Sequence, residues 1–587
     1  MGGGKWKVVG GADKGGILVR EGQGTSSTQC EERLATGSLV EEVELVGERL
    51  HFKRISGAGP AEGWVSIKLK GKDLCTKDAE DEAAAASAAS AEEVPIPEDA
   101  PRCLQPGDRV AAKFLDSPML GPHKKVMVKK KFEANAAKRL KGDIYGLFFP
   151  WDPEELFTDS FGTNWLTKAF HAAGSLPEDN SIKSIVDWKR FTGGGSGPKA
   201  IFTVEYEKED PNLDTKLFMK EPYSLEENAQ QRFLESGQAK FGDNWGGEFL
   251  FYRYLSAYCP FPVPKFYFGD INRESTEAIL INACVEWPAK DKKEFGPYEV
   301  FPPAGKCEDY LLIGQPVDYY FAIFRRMGQF AGLHKAGKLG PYADTIDWMK
   351  YTPTNDVNCA PAFPGSEASA KAFIEEVAPH WFPARAKQAS VMKKFCEKMA
   401  DCCKNQMDIA NYLYSDPNYI GLHHQNGNTD NLFFYKDANG RMEAGVLDWG
   451  STAPLAYGTG FMGSTISALG EMLAEHDDKL IQCWCDAYHA TGAPKIDDAE
   501  VLFRYRLATC VSAYGIISTL NQMVSPNVIG ETKKNFKDLP SWNCEVIRAN
   551  FGMQFAMGMV YNRIMLMVLK GDKYWNAIPE LQKKLKK

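Results

Sequence analysis

No apolar run among the 587 residues approaches the roughly 20 that cross a bilayer, so no transmembrane segment is expected. The opening Met1-Gly-Gly-Gly-Lys-Trp6 lacks the apolar core of a signal peptide, and it carries Trp6 where a myristoylation signal has Ser or Thr. The 14 cysteines show no zinc-ligand spacing: Cys402 and Cys403 are adjacent, and Cys483 and Cys485 are two apart. Reduced thiols in a cytoplasmic protein are the expectation. A basic excess is missing too, and the net charge of −8 speaks against nucleic acid as a partner. There is no internal repeat.

The chain is too long for one core, so more than one domain is expected. Residues 1–75 read as a small all-β module, with short strands expected at 6–9, 16–20, 39–45, 49–54 and 63–69 between Gly-rich turns. The close strand spacing around Gly63-Trp-Val-Ser66 resembles an SH3-like barrel. Trp64 there would either fill the barrel or line a groove for a peptide or protein partner. Residues 76–104, rich in Ala, acids and Pro, read as a linker. Residues 105–147 form a basic connecting segment, with Lys124, Lys125, Lys129, Lys130, Lys131, Lys138, Arg139 and Lys141. A solvated face is the simpler account of them, an anionic partner or membrane surface the other. From about 148 the pattern is α+β: strand-rich to 285, then helix-rich over 286–587, an order that suits two lobes.

Four local patterns in this larger part carry chemistry. Thr192-Gly-Gly-Gly-Ser-Gly197 precedes a strand, and its glycines Gly193, Gly194, Gly195 and Gly197, with Ser196, would let backbone N–H groups approach phosphate oxygens. Lys220 ends the apolar strand Thr215-Lys-Leu-Phe-Met219, where a charge is costly unless paired. Glu248 opens a helical pattern, Glu248-Phe-Leu-Phe-Tyr-Arg-Tyr254, and is the candidate partner. A further strand, Ala278-Ile-Leu-Ile-Asn-Ala-Cys-Val285, would lead into a hinge where backbone around Ala283–Glu286 would meet the adenine. Finally, Lys436-Asp-Ala-Asn-Gly-Arg441 reads as the turn of a hairpin whose two ends carry Asn431 and Asp448. Both side chains offer oxygen, which suits Mg²⁺.

The segment Leu422-His-His-Gln-Asn-Gly-Asn-Thr-Asp-Asn431, followed by Leu447-Asp-Trp449, is similar to the catalytic and metal loops of the aminoglycoside phosphotransferase and choline-kinase-like superfamily, including its ecdysteroid-kinase-like branch. The resemblance covers 148–587. It implies a two-lobed protein-kinase-like fold and transfer of the γ-phosphate of ATP, with Mg²⁺, to a small-molecule hydroxyl. By it, Asn431 and Asp448 would bind metal, Lys220 would hold phosphates and Glu248 would orient Lys220.

The loop departs from the family at one decisive place. Such loops read His-x-Asp, four residues, then Asn. His424 and Asn431 keep the spacing, but Asn426 stands where the catalytic Asp belongs. An amide does not accept a proton as a carboxylate does. Asn428 replaces a second His, and Ser451–Gly460 contains no acid. Three readings stay open. Asn426 positions the acceptor and transfer is slow; Asp430 substitutes as base; or the domain is a pseudokinase scaffold that binds partner proteins.

Overall fold

Alternation of apolar and polar residues builds the first sheet. In β1 (Lys5–Val8) Trp6 and Val8 are buried while Lys5 and Lys7 are exposed. The period recurs in β2 (Ile17–Arg20) and in the first half of β5 (Arg49–Ser56), while β3 (Gln29–Leu34), β4 (Leu39–Val46), β6 (Glu62–Ser66) and β7 (Cys75–Lys77) complete the sheet without it. The computed structural model describes all residues except 1–4, 70–71, 78–93, 106–128, 159, 192–196, 236–243, 290, 347, 349–350, 360, 521–535 and 587. It divides into two compact units, Met1–Glu93 and Val94–Lys587.

The first unit is a seven-stranded antiparallel sheet in the order β3-β2-β6-β5-β4-β1-β7. The expected SH3-like barrel is not found: among the described residues no pairing joins β3 to β7. Two strands, β3 and β7, were not expected. β3 has a polar sequence with only Leu34 buried, and it becomes a strand by pairing with β2 rather than by propensity. Trp64 is 8% exposed and stacks on His51, with centroids 4.9 Å apart. It is a packing residue.

In the second unit the basic segment contributes α1 (Lys129–Asn135). Its later members pair locally: Lys138 donates to Asn135, and Arg139 pairs with Glu155 at 2.6 Å. Lys124 and Lys125 lie outside the described residues. Part of the expected linker is packed. Cys103 and Leu104 join a cluster with Val285, Tyr298, Phe433 and Tyr435, and the Tyr298 hydroxyl donates to the Pro95 carbonyl.

After α2 (Gly162–Ala173) comes an antiparallel sheet of β8 (Ile182–Phe191), β9 (Lys199–Tyr206), β10 (Lys216–Lys220), β11 (Phe266–Asn272) and β12 (Glu277–Ala283), ordered β8-β9-β10-β12-β11. Between β10 and β11 lie α3 (Leu225–Glu235) and α4 (Asn244–Leu250). The remainder is mostly helical: α5 (Pro316–Lys335), α6 (Ala389–Leu413), α7 (Tyr457–Thr465), α8 (Gly470–Ala490), α9 (Asp498–Ser518) and α10 (Phe551–Trp575). The sheet-then-helix order matches the α+β expectation. Among the described residues no helix is long and apolar enough to cross a membrane. Trp348, Trp381, Trp484 and Trp542 are buried and belong to the core of this helical part.

Two short antiparallel pairs are set into the helical part. β13 (Ile420–His423) pairs with β16 (Ala453–Ala456), and β14 (Leu432–Lys436) pairs with β15 (Met442–Val446). The β14–β15 hairpin turns at Asp437, whose Oδ1 accepts the N–H groups of Asn439 and Arg441. Its anchor is Glu443, 2% exposed, whose carboxylate faces three guanidinium groups: Arg326 at 2.9 Å, Arg441 at 2.7 Å and Arg325 at 3.3 Å. Arg325 and Arg326, on α5, also donate to the Met442 and Ala444 carbonyls. Replacing Glu443 by Ala removes the carboxylate these groups share. The expected cost is about 3–5 kcal/mol, read as a lower urea midpoint at unchanged m-value.

Candidate functional site

Lys220 is the last residue of β10, paired with β9 on one side and β12 on the other. Strand alternation puts Leu217 and Met219 on one face and Lys220 on the opposite one. Its ammonium is 2.9 Å from Glu248 Oε2 on α4 and 3.1 Å from Asp448 Oδ1, just past β15. Both Lys220 and Glu248 are buried. Burial disfavours the ammonium, but Asp448 and Glu248 outweigh it and hold the lysine protonated, well above its usual range. Burial also works against the Asp448 carboxylate, and Lys220 chiefly reverses this, keeping it ionised. For Glu248 burial wins and the pKa is raised, with Lys220 offsetting part of it.

The hairpin register brings Asn431 and Asp448 together. Leu432 faces Val446, and the Leu447 N–H donates to the Asn431 carbonyl at 2.9 Å. Asn431 donates its side-chain N–H to the Asn426 carbonyl at 2.8 Å, which leaves its amide oxygen as the free end. Asp448 keeps a second carboxylate oxygen beside the one that faces Lys220. An oxygen-only pair of this kind fits Mg²⁺, which takes few protein oxygens and fills its shell with phosphate oxygens and water.

The loops are held in uncommon backbone. Gln425 (φ 62°) and Asp448 (φ 56°) are left-handed non-glycine residues, a conformation that persists only under strong packing. Trp449 supplies that packing beside Asp448. It is fully buried, stacked on Phe251 with centroids 3.5 Å apart, and edge-on to His424 and Phe330. At Gln425, α7 comes so close that a Cβ on Gly463 would collide with the Gln425 carbonyl. The Tyr351 hydroxyl donates to the Gln425 side chain at 3.1 Å.

His424 ties the two loops. Its Nε2 is 2.6 Å from the Leu447 carbonyl, so the proton sits there, and its Nδ1 accepts the Asn426 N–H at 3.3 Å. Burial lowers its pKa, against the Leu447 hydrogen bond and the Asp448 charge. With both nitrogens committed to backbone, His424 braces the loop. Asn426 is fixed by a chain of amides. The Ser467 hydroxyl donates to Asn428 Oδ1 at 2.8 Å, and Asn428 Nδ2 donates to Asn426 Oδ1 at 2.7 Å. That assignment leaves Asn426 its NH₂ end, a donor and not an acceptor. Asp430 lies 3.9 Å from the Lys306 ammonium. Burial raises its pKa to about 6; Lys306 opposes the shift and Asp448 adds to it.

Gly193, Gly194, Gly195 and Ser196 lie outside the described residues. Gly197 is left-handed (φ 86°), packed against the backbone of Glu221 and Pro222 right after Lys220. Ala283 ends β12, and its N–H donates to the Lys265 carbonyl, so that amide is taken up by the sheet. Sequence reasoning missed Lys306, which sits in a Pro-Pro-Ala-Gly-Lys turn with no motif around it. Nothing in the sequence couples it to Asp430 across more than a hundred residues.

No protein-family profile matches the sequence, and no curated protein matches it. Solved structures similar to it at low identity include the following three. A spectinomycin phosphotransferase, APH(9)-Ia, solved with ADP and spectinomycin, is 11% identical, over 58% of this chain and 85% of its own, with a TM-score of 0.26. The aminoglycoside phosphotransferase APH(3'')-Id from Streptomyces rimosus is 13% identical over 56% and 92%, with a TM-score of 0.23. A microcompartment-associated aminopropanol kinase is 9% identical over 70% and 99%, with a TM-score of 0.31.

His423 gives this region a pH dependence. Burial, with the His424 charge adding to it, lowers its pKa to about 3, and its Nδ1 accepts the Gln425 N–H. The unfolded histidine titrates near 6.5. Stability is therefore complete above about pH 7 and falls as the pH drops below that, because only the unfolded chain takes the proton. In His423→Asn, whose amide oxygen keeps the Gln425 hydrogen bond, the loss between pH 7 and pH 5 should shrink by about 1–2 kcal/mol. Urea denaturation at the two pH values measures it.

Proposed function

We propose that this protein is an ATP- and Mg²⁺-dependent phosphotransferase of protein-kinase-like fold, acting on a hydroxyl of a small molecule. The observation that carries the reading is the Lys220 ammonium held between Glu248 at 2.9 Å and Asp448 at 3.1 Å. A buried lysine at a strand end, clamped by one carboxylate and facing a second, is what phosphate and metal binding asks of a protein. Lys220 contacts the nucleotide phosphates, Glu248 orients it, and Asn431 and Asp448 hold Mg²⁺. When bound, the metal neutralises charge on the phosphate oxygens. His424 and Trp449 keep the two loops in register. The acceptor hydroxyl lies by Asn426.

The Asn426 environment supports a second reading, a catalytically weak or inactive scaffold that binds partner proteins. The amide offers a donor where a base is needed, so it orients an acceptor oxygen without taking its proton. The first unit would be the site for a peptide or protein partner in that case.

Binding and turnover are tested separately. In a thermal-shift titration, ATP with Mg²⁺ at about 100 times its Kd should stabilise the protein by roughly 2.7 kcal/mol. Asp448→Ala should abolish the Mg²⁺-dependent part. No shift in the wild type under any condition would reject the nucleotide reading. For turnover, an Asp at 426 keeps one oxygen to accept from Asn428 and presents the other to the acceptor. Asn426→Asp should raise phosphate release or transfer by about 10²–10⁴-fold. An unchanged rate, with nucleotide binding intact, would favour the scaffold.

A further inference from the structure

A second lysine reaches this site from the helical part. Lys306 lies in the turn between β12 and α5, and its ammonium is 3.9 Å from Asp430 Oδ2. Its charge also acts on Asp448. The turn is over-determined by its surroundings. Cys307, the next residue, is left-handed at φ 58°. The Gln554 side chain donates to the Lys306 carbonyl, and the Cys307 thiol donates to the Phe555 carbonyl at 3.8 Å. A Cβ on Gly558 would come 2.5 Å from Cys307 Cβ, so α10 and the turn are in close contact. The Lys306 ammonium lies over the Phe555 ring, 5.0 Å from its centroid. Beyond it, Asp309 is fully buried, accepting from the Tyr320 hydroxyl and the Leu469 N–H. Strained backbone, a supporting helix and a ring under the ammonium fix where this cation points.

A surface ion pair would not need this scaffolding, and 3.9 Å is a loose pair. The two lysines also approach from different sides: Lys220 from the sheet, Lys306 from the helical part next to Asp430 and the Asn426 loop. We infer that Lys306 is a phosphate-binding residue that contacts the terminal phosphate of a nucleoside triphosphate, at the end nearest the acceptor. It sets the site to prefer a triphosphate over a diphosphate. The inference rests on the nucleotide reading above and adds a specificity element to it. Asn428 sits two residues past Asn426 and is neutral, and the loop from His423 to Asn431 contains no lysine or arginine. The loop itself therefore supplies no cation to a distal phosphate, and Lys306 is the lysine placed beside its Asp430.

The test is nucleotide affinity of the full chain by titration calorimetry, with Mg²⁺, for ATP and for ADP. Lys306→Met should weaken ATP by about tenfold or more, the loss of one charge-assisted contact, while ADP changes by less than about twofold. Lys306→Arg should stay close to wild type for both. Should the Met variant lose its melting transition, Lys306→Gln replaces it. Equal weakening of ATP and ADP, or no change in either, overturns the inference while leaving the nucleotide site intact. The double variant Lys306→Met with Asp430→Asn separates a mere partner of Asp430 from a phosphate contact. Recovery of wild-type ATP affinity there would reduce Lys306 to charge balance and overturn the inference; persistent selective loss supports it. A wild type that binds neither nucleotide removes the underlying reading, and this inference with it.

Discussion

An ammonium group buried as deeply as that of Lys220 is tolerable only when carboxylates surround it, because taking a lone charge out of water costs several kcal/mol. Glu248 and Asp448 meet that demand from 28 and 228 residues away. The sheet, α4 and the hairpin end are thereby tied at one point. Each partner depends on the others electrically: Lys220 keeps Asp448 ionised, and Asp448 with Glu248 keeps Lys220 charged. Removing Lys220 leaves the buried Glu248 and the half-buried Asp448 without their shared cation.

Around that point the backbone is forced, and packing does the forcing. Asp448 and Gln425 sit in left-handed conformations that cost free energy in isolation. Trp449 repays the cost at one, through its stack on Phe251 and its edge on His424. The close approach of Gly463 repays it at the other. Glu443 and its three arginines lie one layer further out, fixing the hairpin to α5. The strain thus falls on the residues that present Asn426 and Asp448, and the unstrained network sits behind them.

The chain Ser467–Asn428–Asn426 holds position 426 through its Oδ1, an atom that Asn and Asp share. The Ser467 hydroxyl donates to Asn428 and the Asn428 amide donates to Asn426, so the residue at 426 enters the chain as an acceptor, which an Asp would also do. What differs is the end turned outward: NH₂ in place of a carboxylate oxygen.

The sequence by itself determined the parts whose information is local. Spacing from His424 to Asn431 and the turn residues Asp437 to Gly440 specify a loop and a hairpin, because register in a short hairpin is fixed by its turn. The apolar strand ending in Lys220 already requires a carboxylate partner, and the order of strands and helices gives the α+β class. Other features were decided only by tertiary structure. Among the described residues no pairing closes the sheet of the first unit, and the polar segment β3 joins it, because strand pairing depends on neighbours and not on propensity. Leu104 is buried although its stretch reads as a linker, since burial follows from what the chain folds against. The two backbone groups that His424 braces are set by the approach of the Leu447 end of the hairpin, which no spacing records. Lys306 came to Asp430 from a turn with no motif, and no local pattern records a contact made by the packing of α10.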